Sequence, residues 1–190
     1  MILPVRAYGD QVLRKKCESV PVDYANLKEL IDNMFETMYA ASGVGLAAPQ
    51  IGLAIRLFVV DIRAFAEDEE DEEVKAEFED FKRVFINAEK IEETGELWKF
   101  NEGCLSIPGV REDVLRHETL TLRYLDENFA EKTEVFSGLA ARVIQHEYDH
   151  IEGVLFTDYL SPFKKRLIKK KLNNVKIGNV DVDYKMRFPK

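Results

Sequence analysis

The two histidines of the segment HEYDH, His146 and His150, place the strongest constraint on how this chain can fold. A helix capped by Ser137 and ending near Ile151 is predicted here, and residues four apart on a helix lie on one face. Both imidazoles can therefore reach a single metal ion, while Glu147 can reach a water at that ion without being a ligand. The fold must bring the remaining ligands to this face of the helix.

A third metal ligand has to come from another part of the chain, because a catalytic metal site usually has three protein ligands and one position open for water. No histidine follows His150, so a metallopeptidase of the zincin type would lack its usual downstream ligand. The available donor is Cys104, since a thiolate binds divalent metals tightly. Taken alone, a free cysteine is more often a small buried residue, which is our expectation for Cys17.

The segment GVGLAAPQIG, residues 43–52, is the third unusual feature of the sequence. Two glycines in three residues permit unusual backbone angles and the close approach of another chain segment. The segment also contains Gln50, whose amide can donate a hydrogen bond. Taken alone, it is equally well explained as a flexible connection between a helix and a strand.

Three motifs taken together resemble those of the peptide deformylase family. GVGLAAPQ at 43–50, EGCLS at 102–106 and QHEYDH at 145–150 match the family's motifs in order and in type. The resemblance covers most of the chain, and three ordered motifs are far more specific than one. It implies an α+β hydrolase that removes the N-formyl group from the initiating methionine of new bacterial or organellar polypeptides and releases formate.

The resemblance also assigns roles to single residues. It implies that the metal ligands are Cys104, His146 and His150. It implies that Glu147 is the catalytic acid and base, and that Gln50 and the backbone N–H of Leu105 hold the oxyanion. Two imidazoles and a thiolate suit Zn²⁺, Fe²⁺, Ni²⁺ or Co²⁺, and intrinsic affinity alone does not favour iron. The resemblance implies Fe²⁺ as the physiological ion.

An N-formylmethionyl nascent peptide is the expected substrate, bound as an added strand beside the metal-binding helix. The residues assigned to substrate binding are Val44, Gly45, Glu102, Gly103, Arg111, Leu139 and Val143. The three larger apolar side chains among them would form a pocket for the methionine, although plain core packing explains them equally well. Arg111 and Glu102 would orient the substrate or its loop. Asp149 would either accept a hydrogen bond from a ligating histidine or be solvated.

Apolar runs, apolar periodicity, turn signals and cap residues predict antiparallel strands with a few helices packed on them. Strands are predicted at 57–60, 84–86, 96–100, 119–124 and 132–136, and helices from a cap at Asp23 to about Ser42, at 137–151 and at about 161–174. No repeat or linker divides the chain, so residues 1–190 are expected to form a single domain. The predicted fold class is α+β, with antiparallel sheets packed around the helix that carries the HExxH motif.

The net charge of −8 is concentrated in one segment of the chain. Residues 67–82 contain ten acidic and two basic residues, and the rest of the chain is balanced. An acidic insertion is therefore predicted at about 66–82, and its helical spacing of apolar residues favours a short amphipathic helix over a mobile loop. The charge totals give no basic footprint for nucleic acid, so no DNA partner is expected.

The cellular setting is predicted from what the sequence lacks. No apolar run approaches the ~18 residues of a membrane span, so no membrane partner is expected. The N-terminus has neither the charged region nor the apolar region of a signal peptide. Two cysteines are too few for a secreted disulfide scaffold of this size. We therefore expect a cytoplasmic protein.

The C-terminal helix predicted at about 161–174 is strongly basic. Six basic residues lie between positions 164 and 171, with apolar residues interspersed. One interpretation is a solvated amphipathic face. The other is a contact with ribosomal RNA, which would place the protein beside emerging polypeptides.

Two rival interpretations of the metal motif remain open. A zincin-like metallopeptidase predicts a ligand downstream of the helix and tolerance of Cys104→Ser. A non-catalytic metal-binding module predicts a fourth protein ligand and little effect of Glu147→Ala on function. The remaining histidine, His117, is expected on the surface rather than as that fourth ligand.

Overall fold

A five-stranded antiparallel sheet forms the centre of the molecule, which is described here over residues 1–189 from a computed structural model. In spatial order its strands are β2 (Gly45–Ala47), β3 (Leu57–Asp61), β4 (Lys82–Gly103), β5 (Arg111–Leu125) and β6 (Glu131–Ser137). A second, two-stranded sheet pairs β1 (Val5–Arg6) in parallel with β7 (Met186–Arg187) near the chain termini.

Helices pack on this sheet and extend beyond it. The α-helices are α1 (Leu27–Ala40), α2 (Glu72–Glu79), α3 (Gly138–Ile151) and α4 (Pro162–Lys176). Short 3-10 helices lie at Gln11–Arg14, Ala48–Ile51, Arg63–Asp68 and Phe156–Tyr159. The predicted α+β class is confirmed, since the sheet is antiparallel and the helices do not alternate with parallel strands. In the part of the chain that the structure describes, no helix is both long and apolar enough to cross a membrane.

Strand β4 contains two segments that the sequence predicts as separate strands. Its first part pairs with β3, with Leu57 opposite Ile86. Its second part pairs with β5 alone, with Leu97 opposite His117. Three register shifts along the β4–β5 pair, between Ile86 and Leu97, bend the ribbon as β-bulges do. The second half of β4 therefore keeps one free edge and ends at Gly103, immediately before Cys104.

Helix α3 crosses the sheet with its small residues against the strands. Ala140, Ala141 and Ile144 are fully buried and belong to the same hydrophobic cluster as Phe58 and Phe85. The alanines allow a close approach to β2, β3 and β5, so the helix is held firmly. Its position in the core explains why the two histidines of the HEYDH segment have a fixed direction.

The start of α1 differs from the prediction. Asp23 does not cap this helix, because residues 21–24 form a turn in which Tyr24 N–H donates to Pro21 O at 3.1 Å. The N-cap is Asn26, in a left-handed conformation with φ of 57°, and its side chain makes no capping hydrogen bond. Helix α4 begins at Pro162, close to the predicted start, and Ser161 Oγ caps it by accepting from Lys164 N at 3.3 Å.

The acidic segment is helical, as its apolar spacing predicts. Asp71 caps α2 by accepting hydrogen bonds from the backbone N–H groups of Glu73 and Val74. Phe78 is buried in the main hydrophobic cluster and anchors the segment to the sheet. The 3-10 helix before α2 also contains Phe65, which lines a cleft.

Candidate metal centre and substrate cleft

Three side chains capable of binding a metal converge between the end of β4 and helix α3. The ligand atoms of Cys104, His146 and His150 all lie within 4.8 Å of one another. Cys104 Sγ and His150 Nε2 are 3.3 Å apart. Thiolate and imidazole ligands of one tetrahedral ion lie about 3.5 Å apart, given bond lengths of about 2.3 and 2.0 Å. The donor set therefore fits a single divalent cation with room for a further ligand.

Glu102 fixes the orientation of one of these histidines. Its Oε2 lies 3.0 Å from His146 Nδ1, which leaves His146 Nε2 free for a metal ion. Burial opposes ionisation of Glu102, but hydrogen bonds from His146 and Arg116 outweigh it and hold the pKa of this carboxyl well below its usual range. The carboxylate is therefore charged at neutral pH and is hydrogen-bonded to the histidine rather than to solvent.

Glu147 is the buried carboxylate that faces the cleft. Its Oε2 has no hydrogen-bond partner among residues 1–189. Burial raises the pKa of Glu147 to about 7, which suits a group that accepts and returns a proton. A Cβ atom on Gly45 would lie 2.5 Å from Glu147 Oε1, so only glycine at this position lets the carboxylate lie against β2.

Two hydrogen-bond donors lie beside the metal ligands. Gln50 is buried, and its Oε1 accepts from Ala47 N at 2.8 Å. Its Nε2 is thereby directed toward Cys104 Sγ at 3.5 Å and Ser106 Oγ at 3.4 Å. The backbone N–H of Leu105 donates to no backbone carbonyl in the described chain. The Leu105 N–H is therefore without a backbone partner, whereas the Gln50 amide, in the cleft wall, donates to Cys104 and Ser106.

A cleft of about 600 Å³ opens in front of these groups. All seven residues that the sequence assigns to substrate binding line it, together with Gln50, Leu105 and Glu147. Phe65, Phe100 and Tyr184 also line the cleft, and sequence reasoning missed them. The remaining histidine lies elsewhere, with His117 Nδ1 3.0 Å from Gly95 O in the exposed part of the β4–β5 ribbon.

Comparison with known proteins decides the family. The family model described as polypeptide deformylase matches residues 2–166. The chain belongs to the polypeptide deformylase family. A peptide deformylase of Christiangramia forsetii is 62% identical over 190 residues, covering 100% of this chain and 97% of that protein. One from Flavobacterium psychrophilum is 60% identical, covering 99% of this chain and 97% of that protein.

Solved structures of deformylases share the fold. The crystal structure of a peptide deformylase from Legionella pneumophila has a TM-score of 0.79 and 38% identity, covering 94% of this chain and 98% of that chain. The structure of the Thermotoga maritima enzyme has a TM-score of 0.74 and 37% identity, covering 85% of this chain and 99% of that chain. The chain is thus a hydrolase that removes the N-formyl group from N-terminal methionine. This assignment replaces both rival interpretations of the metal motif.

The candidate site is supported by a buried ionic network that sequence reasoning missed. Glu102 accepts from Arg116 Nε at 2.7 Å and from Arg142 Nη1 at 2.9 Å. Arg116 Nη1 also donates to Asp149 Oδ2 at 2.7 Å, and Tyr159 OH donates to Asp149 Oδ1 at 3.1 Å. Asp149 is thus neither solvated nor bonded to a ligating histidine, and both sequence interpretations of it are wrong. Burial raises its pKa despite Arg116.

A signal for this network is present in the sequence of β5. Val114, Leu120 and Leu122 occupy the inward positions of an alternating strand, and Arg116 occupies another. A charged residue at an inward position is almost never buried without a partner. Arg116 therefore requires a buried acid, although the sequence does not say which one.

Arg111 takes a different part in the deformylase cleft. Its Nε donates to Asn101 Oδ1 at 3.0 Å and its Nη2 to Asn101 O at 2.5 Å. A Cβ atom on Gly103 would lie 2.8 Å from Arg111 Nη1, so the guanidinium lies close over the end of β4. This places a positive charge over the end of β4, beside the cleft.

Replacing Glu102 by glutamine should weaken both folding and metal binding. Arg116 and Arg142 would lose part of their buried charge compensation, and breaking a buried pair typically costs about 3–5 kcal/mol. Loss of the histidine's partner should lower metal affinity about 10- to 100-fold. Urea unfolding of the metal-free protein and a metal titration measure the two effects. Glu112→Gln, which disrupts a pair with the partly exposed Lys164, is the control. Equal effects of both variants would contradict the role given to Glu102.

Proposed function

We propose that Cys104, His146 and His150 hold one divalent metal ion, and that Glu147, Gln50 and the Leu105 N–H carry out the deformylation beside it. The observation that supports this most directly is the convergence of three ligand atoms within 4.8 Å next to a buried carboxylate with an unpaired oxygen. A bound ion would supply Lewis acidity and lower the pKa of a water molecule toward neutrality.

The proton route runs through Glu147. As water attacks the formyl carbon, a carboxylate oxygen of Glu147 accepts its proton. The bond between the formyl carbon and the methionine nitrogen then breaks, and Glu147 returns the proton to that nitrogen. Formate and a free amino terminus are the products. Oε2 is free for this task because no side chain or backbone group in residues 1–189 occupies it.

The developing negative charge on the formyl oxygen is stabilised by two donors. Gln50 Nε2 is directed to the region beside Cys104 Sγ, and its amide is held in place by the bond from Ala47 N. The Leu105 N–H is the second donor. Fixed donors of this kind cost no reorganisation during the reaction, and losing one typically lowers the rate about 10²- to 10³-fold.

The substrate peptide binds in an extended conformation along the free edge of β4. Gly103 ends this strand and Gly45 begins β2, and both line the cleft. An added strand gains main-chain hydrogen bonds without regard to sequence, which suits an enzyme acting on many polypeptides. The apolar side chains of Val44, Leu139 and Val143 line the part of the cleft proposed for the methionine.

We propose iron(II) as the physiological metal on the basis of the family resemblance. Thiolate and imidazole ligands also suit Zn²⁺, Ni²⁺ and Co²⁺, so the ligand set alone does not choose among them. The test is to prepare the protein anaerobically, load it with each metal in turn, and measure formate release from a formyl-Met peptide and from its unformylated counterpart. A zinc form as active as the iron form, with iron absent from freshly purified protein, would overturn the proposal.

We further propose that helix α4 contacts ribosomal RNA in the cytoplasm, beside emerging polypeptides. Ile168 and Val175 bury one face of the helix, whereas Phe163 and Leu167 are exposed. Two of its basic side chains are engaged, since Lys164 pairs with Glu112 and Lys165 Nζ donates to a backbone carbonyl. The other basic side chains are exposed and form no ion pair within residues 1–189; they are Arg166, Lys169, Lys170, Lys171 and Lys176.

Reversing three of these charges should release the protein from ribosomes. The triple variant Arg166→Glu, Lys170→Glu, Lys171→Glu is expected to lower co-sedimentation at low salt at least about tenfold, because phosphate contacts dominate such binding. Deformylation of a short formyl peptide should be unchanged, since these residues are outside the cleft. A control with three reversals elsewhere uses Lys16, Lys28 and Lys132. Unchanged co-sedimentation of the first variant would remove the proposed contact.

A further inference from the structure

The C-terminal segment after α4 returns to the N-terminal strand. In the pairing of β7 with β1, Val5 N–H donates to Lys185 O at 2.8 Å and Ala7 N–H donates to Arg187 O at 3.0 Å. Side chains alternate along this segment. The residues turned toward the protein are Val182, Tyr184, Met186 and Phe188, and those turned to solvent are Asp181, Asp183, Lys185 and Arg187. The segment therefore packs along the protein with alternate side chains partly buried, and Met186–Arg187 form its strand.

Tyr184 is the residue of this segment that reaches the cleft. Its hydroxyl donates to Leu105 O at 2.7 Å, and its side chain forms part of the cleft wall. The match to the family model ends at residue 166. Tyr184 therefore lies outside the part of the chain by which the family is recognised.

The loop after Cys104 is held by three successive carbonyl groups. Cys104 O accepts from Ile107 N at 2.9 Å, Leu105 O accepts from Tyr184 OH, and Ser106 O accepts from Tyr8 N at 2.8 Å. Of the three donors, the Tyr184 hydroxyl is the only side chain. The C-terminal segment thus helps to hold the loop that follows Cys104.

We propose that Tyr184 is a positioning residue for deformylation, whose hydroxyl holds the Leu105–Ser106 peptide so that the Leu105 N–H stays directed at the formyl oxygen. The inference depends on the role proposed above for the Leu105 N–H. A donor contributes to catalysis only if it is already in place when the charge develops. With Leu105 O unpaired, this peptide would turn toward water, and the preceding N–H would lose part of its fixed direction. The ring of Tyr184 also closes one side of the cleft.

The test is steady-state kinetics of Tyr184→Phe on a formyl-Met peptide. This variant keeps the ring and removes only the hydroxyl, so folding should be retained. We expect kcat to fall about 3- to 10-fold, the range that corresponds to one neutral hydrogen bond, while KM stays within about twofold. Bound metal per chain and the melting temperature should match those of the wild type. Tyr24→Phe, at a tyrosine that packs on the hydrophobic cluster around α1 and does not line the cleft, is the matched control and should leave kcat unchanged.

Two further variants complete the test. Tyr184→Leu removes the ring as well, and should show the same fall in kcat together with a higher KM, because the cleft wall is lost. Amide hydrogen exchange at Leu105 and Ser106 in the metal-loaded protein should be faster in both Tyr184 variants. A kcat of Tyr184→Phe within twofold of the wild-type value, or a loss that follows metal content, would overturn the inference.

Gln50→Ala separates this inference from the assignment of the oxyanion site. If Gln50→Ala loses about 10²- to 10³-fold in kcat but Tyr184→Phe loses nothing, the oxyanion site stands and the inference about Tyr184 fails. If Gln50→Ala keeps full kcat, the oxyanion assignment itself is wrong.

Discussion

Glu147→Gln should retain a full complement of metal and lose about 10²- to 10⁴-fold in kcat, the usual contribution of a positioned acid and base. Glutamine has the same shape and fits beside Gly45, where there is no space for a larger group. It cannot accept a proton from water or return one to the leaving nitrogen. Because Glu147 Oε2 has no partner in residues 1–189, the substitution breaks no hydrogen bond there and stability should change little.

The measurement is formate release combined with metal analysis of the same sample. Glu152→Gln provides a control at the end of the same helix, since Glu152 pairs with Arg56 and neither residue lines the cleft. Full turnover in Glu147→Gln would rule out the proton route proposed here. Loss of metal from this variant would instead indicate that Glu147 is itself a ligand.

Cys104→Ala should differ from Glu147→Gln in its metal content, because it should lose the metal as well as the activity. A thiolate supplies one of three protein ligands, and two imidazoles alone do not complete a catalytic site. We expect metal affinity to fall by several orders of magnitude, with activity below detection at stoichiometric metal. Metal should raise the free energy of unfolding of the wild type, because metal binding contributes to folding free energy. In Cys104→Ala this increase should be absent.

Cys17→Ala is the matched control for this experiment. Cys17 is the second free cysteine and is buried, but its Sγ lies 3.8 Å from Lys15 O and does not belong to the group of three converging ligand atoms. Its pKa is raised to about 11 by burial, so it remains a thiol at neutral pH. Cys17→Ala should therefore bind metal normally. Stoichiometric, tightly bound metal in Cys104→Ala would remove Cys104 from the ligand set.

Local sequence patterns predicted much of the candidate site. The spacing of His146 and His150 needs only helical geometry to bring the two imidazoles to one face. Gly45 and Gln50 are recognisable because a glycine-rich segment and an isolated amide are unusual next to a buried strand. Strand and helix types were predicted where the local signal was clear, as for the apolar run at β3 and for Ser161-Pro162 at the start of α4.

Partners that come from distant segments could not be predicted in the same way. The sequence marks Arg116 as a charge on the inward face of β5, but nothing local pairs it with Glu102 and Asp149. Asp23 was predicted to cap α1 from its residue type alone, and a competing turn displaced the helix start to Leu27. A residue's preference for a helix cap does not decide the local structure when a turn supplies the backbone with equally good hydrogen bonds.

The amino-acid sequence by itself determined the chemistry of this protein: which side chains can bind a metal, which can transfer a proton, and which elements carry them. These properties depend on residue type and on spacing within one helix or strand. Only the tertiary structure decided that Glu102 orients His146, that Arg116 and Arg142 surround that carboxylate, and that Tyr184 reaches the loop after Cys104. Each of these contacts joins segments far apart in the chain, and the core packing that brings them together follows from the whole fold.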